Sequence, residues 1–248
     1  MSDDRFLRMF DGFVNWPARL SKEGPFLDAI LKEAGATRVL DAGAGPGRHA
    51  VWLAKKGYRV LAADIAETMI EETRRHAREE GAAVEAVRCS FEEIPGLVSE
   101  PVDAVQCLGN SLCMLPDAAA VRRSCAAFGR VLRPGGALVL HSLNYRGLRA
   151  TGKRVSRPTA VPGGGLLLKV FDLDPGAVRV NLIRMEEKKP GTWNAEHVWA
   201  PLLALSREEF EGLLSECGFG GFRAWGGADG SAYEPDVSYD LFLAAKKS

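Results

Sequence analysis

An apolar run, Val39-Leu40-Asp41-Ala42, empties into Gly43-Ala44-Gly45-Pro46-Gly47, and a helical pattern begins directly afterwards at Arg48. Glycines permit positive φ and let a ligand reach the backbone with no Cβ in the way. The helix behind such a turn presents N–H groups that have no partner inside the helix. The junction is repeated in looser form along the chain. Apolar runs at 38–41, 59–63, 84–87, 102–108 and 137–140 alternate with helical stretches at 48–56, 66–80 and 118–132. Near-continuous apolar strands separated by helices predict a parallel sheet covered on both faces, an α/β, doubly wound architecture.

Helix punctuation agrees with that reading. Pro116-Asp117 opens one helix, and Arg133-Pro134-Gly135-Gly136 reads as the turn that closes it. Ser206-Arg207-Glu208-Glu209 is a capping box for a helix ending near Gly218, and strands are predicted at 222–225 and 241–245. Between about 145 and 205 the alternation stops. The Pro/Gly-rich 155–165 stretch reads as a loop, followed by strands at 166–172, 177–186 and 194–203. Asp174-Pro175-Gly176 and Lys189-Pro190-Gly191 separate those strands, which predicts an antiparallel sheet inserted after the fifth parallel strand. The expected organisation is a single domain, 1–248, carrying a lid or substrate subdomain at 146–205.

Charge and cysteine content narrow the function class. Lys+Arg and Asp+Glu both number 32, so no basic excess exists to recruit nucleic acid or an anionic membrane. The five cysteines are scattered with no Cys-x-x-Cys pair, and the four histidines form no metal-ligand spacing, so no metal is expected. The first residues lack a basic segment followed by an apolar one, and no run approaches the roughly 20 apolar residues of a bilayer span. These features predict a cytoplasmic protein; oligomeric state is not legible.

A glycine turn alone is weak evidence, because many strand–helix junctions need one for steric reasons. Asp64 strengthens it: the carboxylate ends the second apolar run, 21 residues beyond Gly43, where it can accept both hydroxyls of an adenosine ribose. The pyrophosphate fingerprint is Gly-x-Gly-x-x-Gly. Here the spacing is Gly43-x-Gly45-x-Gly47, and Asp41 faces the loop. An acid there repels a pyrophosphate but suits the amino group or sulfonium of S-adenosylmethionine, which disfavours a nucleotide-dependent oxidoreductase. Together, Asp41, the three glycines and Asp64 resemble the first motif and acidic follower of class I S-adenosylmethionine-dependent methyltransferases. The resemblance covers most of the chain and implies the family's Rossmann-like seven-stranded sheet.

A narrower resemblance lies in Leu108-Gly109-Asn110-Ser111, which is similar to the segment after the fourth strand in glycine and sarcosine N-methyltransferases. Pro116-Asp117, Asn144-Tyr145 and the inserted strands continue it. The resemblance implies cofactor contacts from Arg19 (to the methionyl carboxylate), Asp41, Gly43, Ala44, Gly45, Gly47, Asp64, Ile65, Met69, Ser90, Phe91 and Leu108. A branched side chain at Gly43 is expected to fill the space of the methionyl portion. Gly109, Asn110, Ser111 and Tyr145 are implied to meet a small-molecule acceptor. His197 and the basic set Arg146, Arg149, Lys153, Arg154 and Arg157 are weaker acceptor-side candidates; solvated surface roles are the simpler reading of both. The chain departs from glycine N-methyltransferases at Leu143, where that family carries an arginine for the acceptor's carboxylate, so larger or less acidic acceptors are expected. Methyl transfer depends mainly on position and exclusion of water, and no catalytic side chain is singled out. Transfer to nitrogen is favoured; transfer to oxygen or carbon, and cofactor binding without turnover, remain open.

Overall fold

The computed structural model describes residues 4–161, 165–174 and 177–248. Two helices, α1 (Asp4–Phe13) and α2 (Trp16–Glu33), precede the alternation β1 (Arg38–Ala42), α3 (Arg48–Lys55), β2 (Arg59–Asp64), α4 (Glu67–Glu79), β3 (Val84–Arg88), β4 (Val102–Cys107), α5 (Ala118–Val131) and β5 (Leu132–Leu143). After α6 (Tyr145–Thr151) come β6 (Thr159–Val161), β7 (Gly165–Asp174), β8 (Ala177–Lys189) and β9 (Thr192–Leu202). The chain then returns through α7 (Arg207–Glu216), β10 (Phe219–Trp225) and β11 (Asp240–Lys247).

Seven strands form one sheet in the order β10-β11-β5-β4-β1-β2-β3, and β6-β7-β8-β9 form a second. The pairings β1–β2, β1–β4, β2–β3 and β4–β5 are parallel, whereas β11 runs antiparallel to both β5 and β10. The mixed sheet with a separate antiparallel insertion is the predicted fold. Its local determinants also agree with the sequence: Asp117 caps α5 through the Ala120 N–H, and Ser206 and Glu209 complete a reciprocal capping box.

Three details differ from the sequence reading. The 155–165 loop contains a short edge strand, β6, paired with β7; residues 162–164 of it lie outside the described residues, as do Pro175 and Gly176 of the β7–β8 turn. Arg133-Pro134-Gly135-Gly136 is not a turn before the fifth strand but its bulged start. Leu132 already pairs with Val102, and the register slips before Ala137 pairs with Ala104. Arg133 fastens the bulge by donating to Asp103 Oδ1 at 2.7 Å and to the Ala34 carbonyl at 2.8 Å. Finally, α1 is an element that the sequence pattern did not reveal. It buries Phe6 and Met9 and lies against β6, β8 and β9.

Parallel strands deliver their C-terminal ends to one edge of a sheet, and ligands of open α/β sheets sit in the crevice outside that edge. Here the edge gathers the turn after β1, Asp64 at the end of β2, residues 89–91 after β3, residues 108–111 after β4 and His141–Leu143 at the end of β5. Because β11 is reversed, its first residue, Asp240, arrives at the same edge, pairing with Leu143. The second sheet and the two N-terminal helices enclose the space above it.

Among the described residues, no helix is long and apolar enough to cross a membrane. All five cysteines are free thiols. Burial pushes Cys107 well up, and Cys113 and Cys125 up to about 12, which keeps these three protonated and inert.

Candidate functional site

The crevice is a cavity of about 640 Å³, within the ordinary range for small-molecule sites. Of the cofactor residues implied by sequence, Arg19, Asp41, Gly43, Ala44, Gly45, Asp64, Ile65, Met69, Ser90, Phe91 and Leu108 line it, as do Gly109, Asn110 and Ser111. Gly47 and Tyr145 do not. Gly47 starts α3 at φ +72°, and a Cβ there would fall 2.4 Å from Thr73 Cγ2. What requires a glycine here is the close approach of the turn to α4. Tyr145 is only 2% exposed, beside Cys113, with its hydroxyl lacking a hydrogen-bond partner. His197 and the basic set at 146–157 also stand away from the lining. His197 contacts Asn181, and Arg146 pairs with Asp236.

Gly47→Ala is therefore expected to lose about 1–2 kcal/mol of stability from the left-handed backbone alone, with ligand affinity of the folded protein unchanged. Urea unfolding alongside calorimetry checks both halves.

Each wall of the cavity has its own chemistry. Asp64 accepts the Gly45 N–H through Oδ2 at 2.8 Å and the Ala66 N–H through Oδ1 at 2.9 Å. Burial still pushes its pKa up against those bonds. Two backbone donors thus hold the carboxylate in one orientation, with lone pairs left for hydroxyls. Beside it, Ile65 is 51% exposed while Met69 is buried, so an apolar slab faces the cavity next to the acid. Across from them, Phe91 is held edge-on against Phe128 at 5.4 Å. Ser90 is tied to Glu93 through both its N–H and its hydroxyl.

Asp41 is 2% exposed, and its Oδ2 has no hydrogen-bond partner. Burial raises its pKa to about 6, opposed by the charge of His49. An orphaned buried acceptor at a cavity wall fits a cationic ligand. Gly43 lies next to it at φ +71°, but a Cβ there would strike Ser111 Cβ and Oγ, both at 2.8 Å. The glycine is required for packing between two loops, which corrects the expectation that its side-chain position belongs to the ligand.

Arg19 reaches in from α2. Its Nε donates to Glu23 at 2.8 Å, Glu23 in turn meets His49 Nε2 at 2.7 Å, and its guanidinium lies over Trp16. Burial opposes ionisation of Glu23, but the His49 hydrogen bond and the Arg19 charge outweigh it and hold the carboxyl down to about 2. Arg19 comes within van der Waals reach of the Gly109 Cβ position. Its charge is thus shared with Glu23 before any ligand carboxylate arrives.

Asn110 occupies φ +72°, the sole non-glycine residue with positive φ among those described. Its Oδ1 accepts the Leu143 N–H at 2.7 Å, and its own N–H donates to the His141 carbonyl. The side chain thereby fastens the end of β4 to the end of β5 and leaves its NH₂ as the group it can offer. The Gly109 N–H donates to His141 Nδ1 at 3.1 Å, and His141 Nε2 lies 3.1 Å from Asp240 Oδ1. This arrangement fixes the Nε2–H tautomer. His141, Asp240, Tyr239, Lys169, Phe171 and the aromatic face of α1 are lining residues that sequence reading missed. Their signal is weak because they come from separate parts of the chain and carry no motif.

Residues 39–136 match the family described as a methyltransferase domain. The chain is 28% identical over 244 residues to a glycine/sarcosine N-methyltransferase of Halorhodospira halochloris, covering 98% of this chain and 88% of the relative. A protein of the same name from Aphanothece halophytica is 28% identical, with 97% and 88% covered. In structure, an S-adenosylmethionine-dependent methyltransferase from Clostridium acetobutylicum superposes with a TM-score of 0.80 at 13% identity, covering 99% of this chain and 98% of the other.

Proposed function

We propose that the chain is a class I S-adenosylmethionine-dependent methyltransferase and that it methylates nitrogen on a small-molecule acceptor within this cavity. The observation that carries the reading is the pairing of a buried Asp41, whose Oδ2 has no partner, with a pre-oriented Asp64 at one sheet edge. The residues present fit the cofactor. Asp64 would take the ribose hydroxyls, Ile65, Met69 and Phe91 the adenine, Asp41 the cationic methionyl end and Arg19 its carboxylate. When bound, the cofactor supplies an activated methyl carbon; the chain's part is to orient the nucleophile and exclude water. Gly109, Asn110 and Ser111 then border the acceptor. Residues 146–205 serve as lid and substrate subdomain of a single domain, supported by the β7, β8 and β9 residues that line the cavity. Free cysteines suit a reducing, cytoplasmic setting.

Labelled S-adenosylmethionine, incubated with glycine, sarcosine, benzylamine, phenethylamine, glucosamine and catechol, tests the reading. Leu143 puts a short apolar side chain on the acceptor side, so the larger amines are expected to outperform glycine. Transfer confined to catechol would replace nitrogen by oxygen as the target. No transfer to any acceptor would favour a cofactor-binding protein without turnover.

Asp41 also predicts a pH dependence. Its folded pKa, about 6, lies above the ordinary 3.8, so protonation on acidification removes the anion that faces the ligand's positive charge. Affinity for S-adenosylmethionine should be level above pH 7 and fall about tenfold by pH 5, in step with the ionised fraction. The sign for the ligand-free protein is opposite: because folding raises this pKa, Asp41 contributes stability below about pH 4 that is lost as pH rises through 6. Calorimetric titrations at several pH values, with Asp41→Asn as the flat control, check the profile.

A further inference from the structure

Lys169 is the only cation that the inserted sheet contributes to the cavity lining, among the described residues. Its backbone is fixed to Ser156 on both sides: its N–H donates to Ser156 Oγ at 3.0 Å, and its carbonyl accepts the Ser156 N–H at 2.9 Å. The Nζ lies 5.2 Å from the ring centroid of Phe13, 5.4 Å from Phe171 and 5.8 Å from Tyr239. These rings come from α1, β7 itself and the residue before β11, so they close around the amine from three elements. Among the described residues, no carboxylate stands within ion-pair distance of it.

We propose that Lys169 is the general base of this enzyme, taking a proton from the ammonium form of the acceptor before methyl transfer; this rests on the N-methylation reading above. Aromatic faces hold an amine in place through its cationic form without fixing it there, as a paired carboxylate would. The amine thus keeps an accessible neutral state. The charged groups facing it divide: Asp240 at the start of β11 favours the ammonium, Arg19 on α2 disfavours it, and burial disfavours it most. Together they bring the amine down to about 8 from an ordinary 10.5. Asp11 and His141 also border the cavity, the latter engaged with Asp240. Tyr239, pushed up to about 12 by burial and by Asp240, stays a neutral phenol.

The step balances without a further reactant. Neutral Lys169 takes one proton from the acceptor ammonium and becomes an ammonium, and the acceptor nitrogen regains its lone pair. That pair forms the new C–N bond as the methyl carbon–sulfur bond breaks, its electrons staying on sulfur. The methylated product leaves as an ammonium, and Lys169 returns its proton to solvent.

Two measurements test the proposal. In the ligand-free protein, competitive acetylation with acetic anhydride across pH 6–11, read on the peptide containing residue 169, should titrate near 8, well below the other lysines. Titration with the bulk of the lysines would overturn the role. With the fastest amine of the panel, kcat/KM should rise through about pH 8 and level off above it. Lys169→Met should lower kcat/KM at pH 7 about a hundredfold and move the rise up to the acceptor's pKa, with cofactor affinity kept. Lys169→Arg keeps the charge but cannot give up a proton, so it should fail as the methionine variant does. Rescue by arginine would make Lys169 an anion anchor and overturn the proposal. If no panel amine is methylated, the N-methylation reading falls and this role with it. If one is methylated and Lys169→Met leaves rate and pH profile intact, only the role of Lys169 falls.

Discussion

Replacing Asp64 by alanine should weaken S-adenosylmethionine binding by tens- to hundreds-fold while the protein remains folded. Two hydrogen bonds from ribose hydroxyls to a charged acceptor are lost, on the order of 2–4 kcal/mol together. The structure adds a second contribution. The same carboxylate accepts the Gly45 and Ala66 N–H groups, so its removal also frees the glycine turn and the start of α4 from their common tie. Asp64→Asn, which keeps one acceptor oxygen in place, should fall between the parent and the alanine variant. Calorimetry with S-adenosylmethionine on all three proteins gives the comparison. Unchanged affinity in Asp64→Ala, or tight NAD binding by the parent, would remove the basis for the cofactor site.

Asn110 should separate turnover from cofactor binding. Alanine is a poor probe here, because φ +72° would strain it; glycine keeps the backbone and deletes only the amide. Asn110→Gly loses the 2.7 Å bond to the Leu143 N–H, freeing the end of β4 from the end of β5 where the acceptor would sit. A displacement of about 1 Å in a reacting group costs on the order of a hundredfold. The expected outcome is a kcat about a hundredfold lower with a cofactor Kd within about threefold of the parent. Full turnover in this variant would reduce Asn110 to a turn residue.

The half of the cavity proposed to take the cofactor was legible because its residues come directly after strand ends. An apolar run fixes where a strand stops, and the residues just beyond that stop must lie at the sheet edge; Asp64, Phe91 and Leu108 all obey that rule. Pattern does not tell which glycine of a turn faces a ligand. Gly45 borders the cavity, whereas Gly47 is reserved for Thr73, a neighbour supplied by a helix much later in the chain. Tyr145 failed for a similar reason: whether an aromatic after a strand turns into the cavity or the core depends on what packs beside it. The acceptor half was largely hidden. Lys169, Tyr239 and Asp240 reach the cavity that His141 lines only through the inserted sheet and a reversed strand, and their sequence neighbourhoods carry no motif. The α1 helix escaped notice because its phenylalanines serve a cavity wall as well as a core.

The placement of β11 has a consequence for the order in which the molecule can be assembled. The strand comes after β5 and β10 in sequence yet lies between them in the sheet. Strands β1 to β5 can pair among themselves as the chain folds, bringing the Gly43–Gly47 turn and Asp64 together early. β10 joins the sheet only through β11, and the docking of β11 on β5 is a pairing of long sequence separation and therefore slow. The wall bearing Tyr239 and Asp240 is completed only then. An assembly intermediate stopped at that point should hold the nucleoside end of a ligand while its opposite end stays open to water. The two halves of the cavity would therefore become competent at different times during refolding, the cofactor half first.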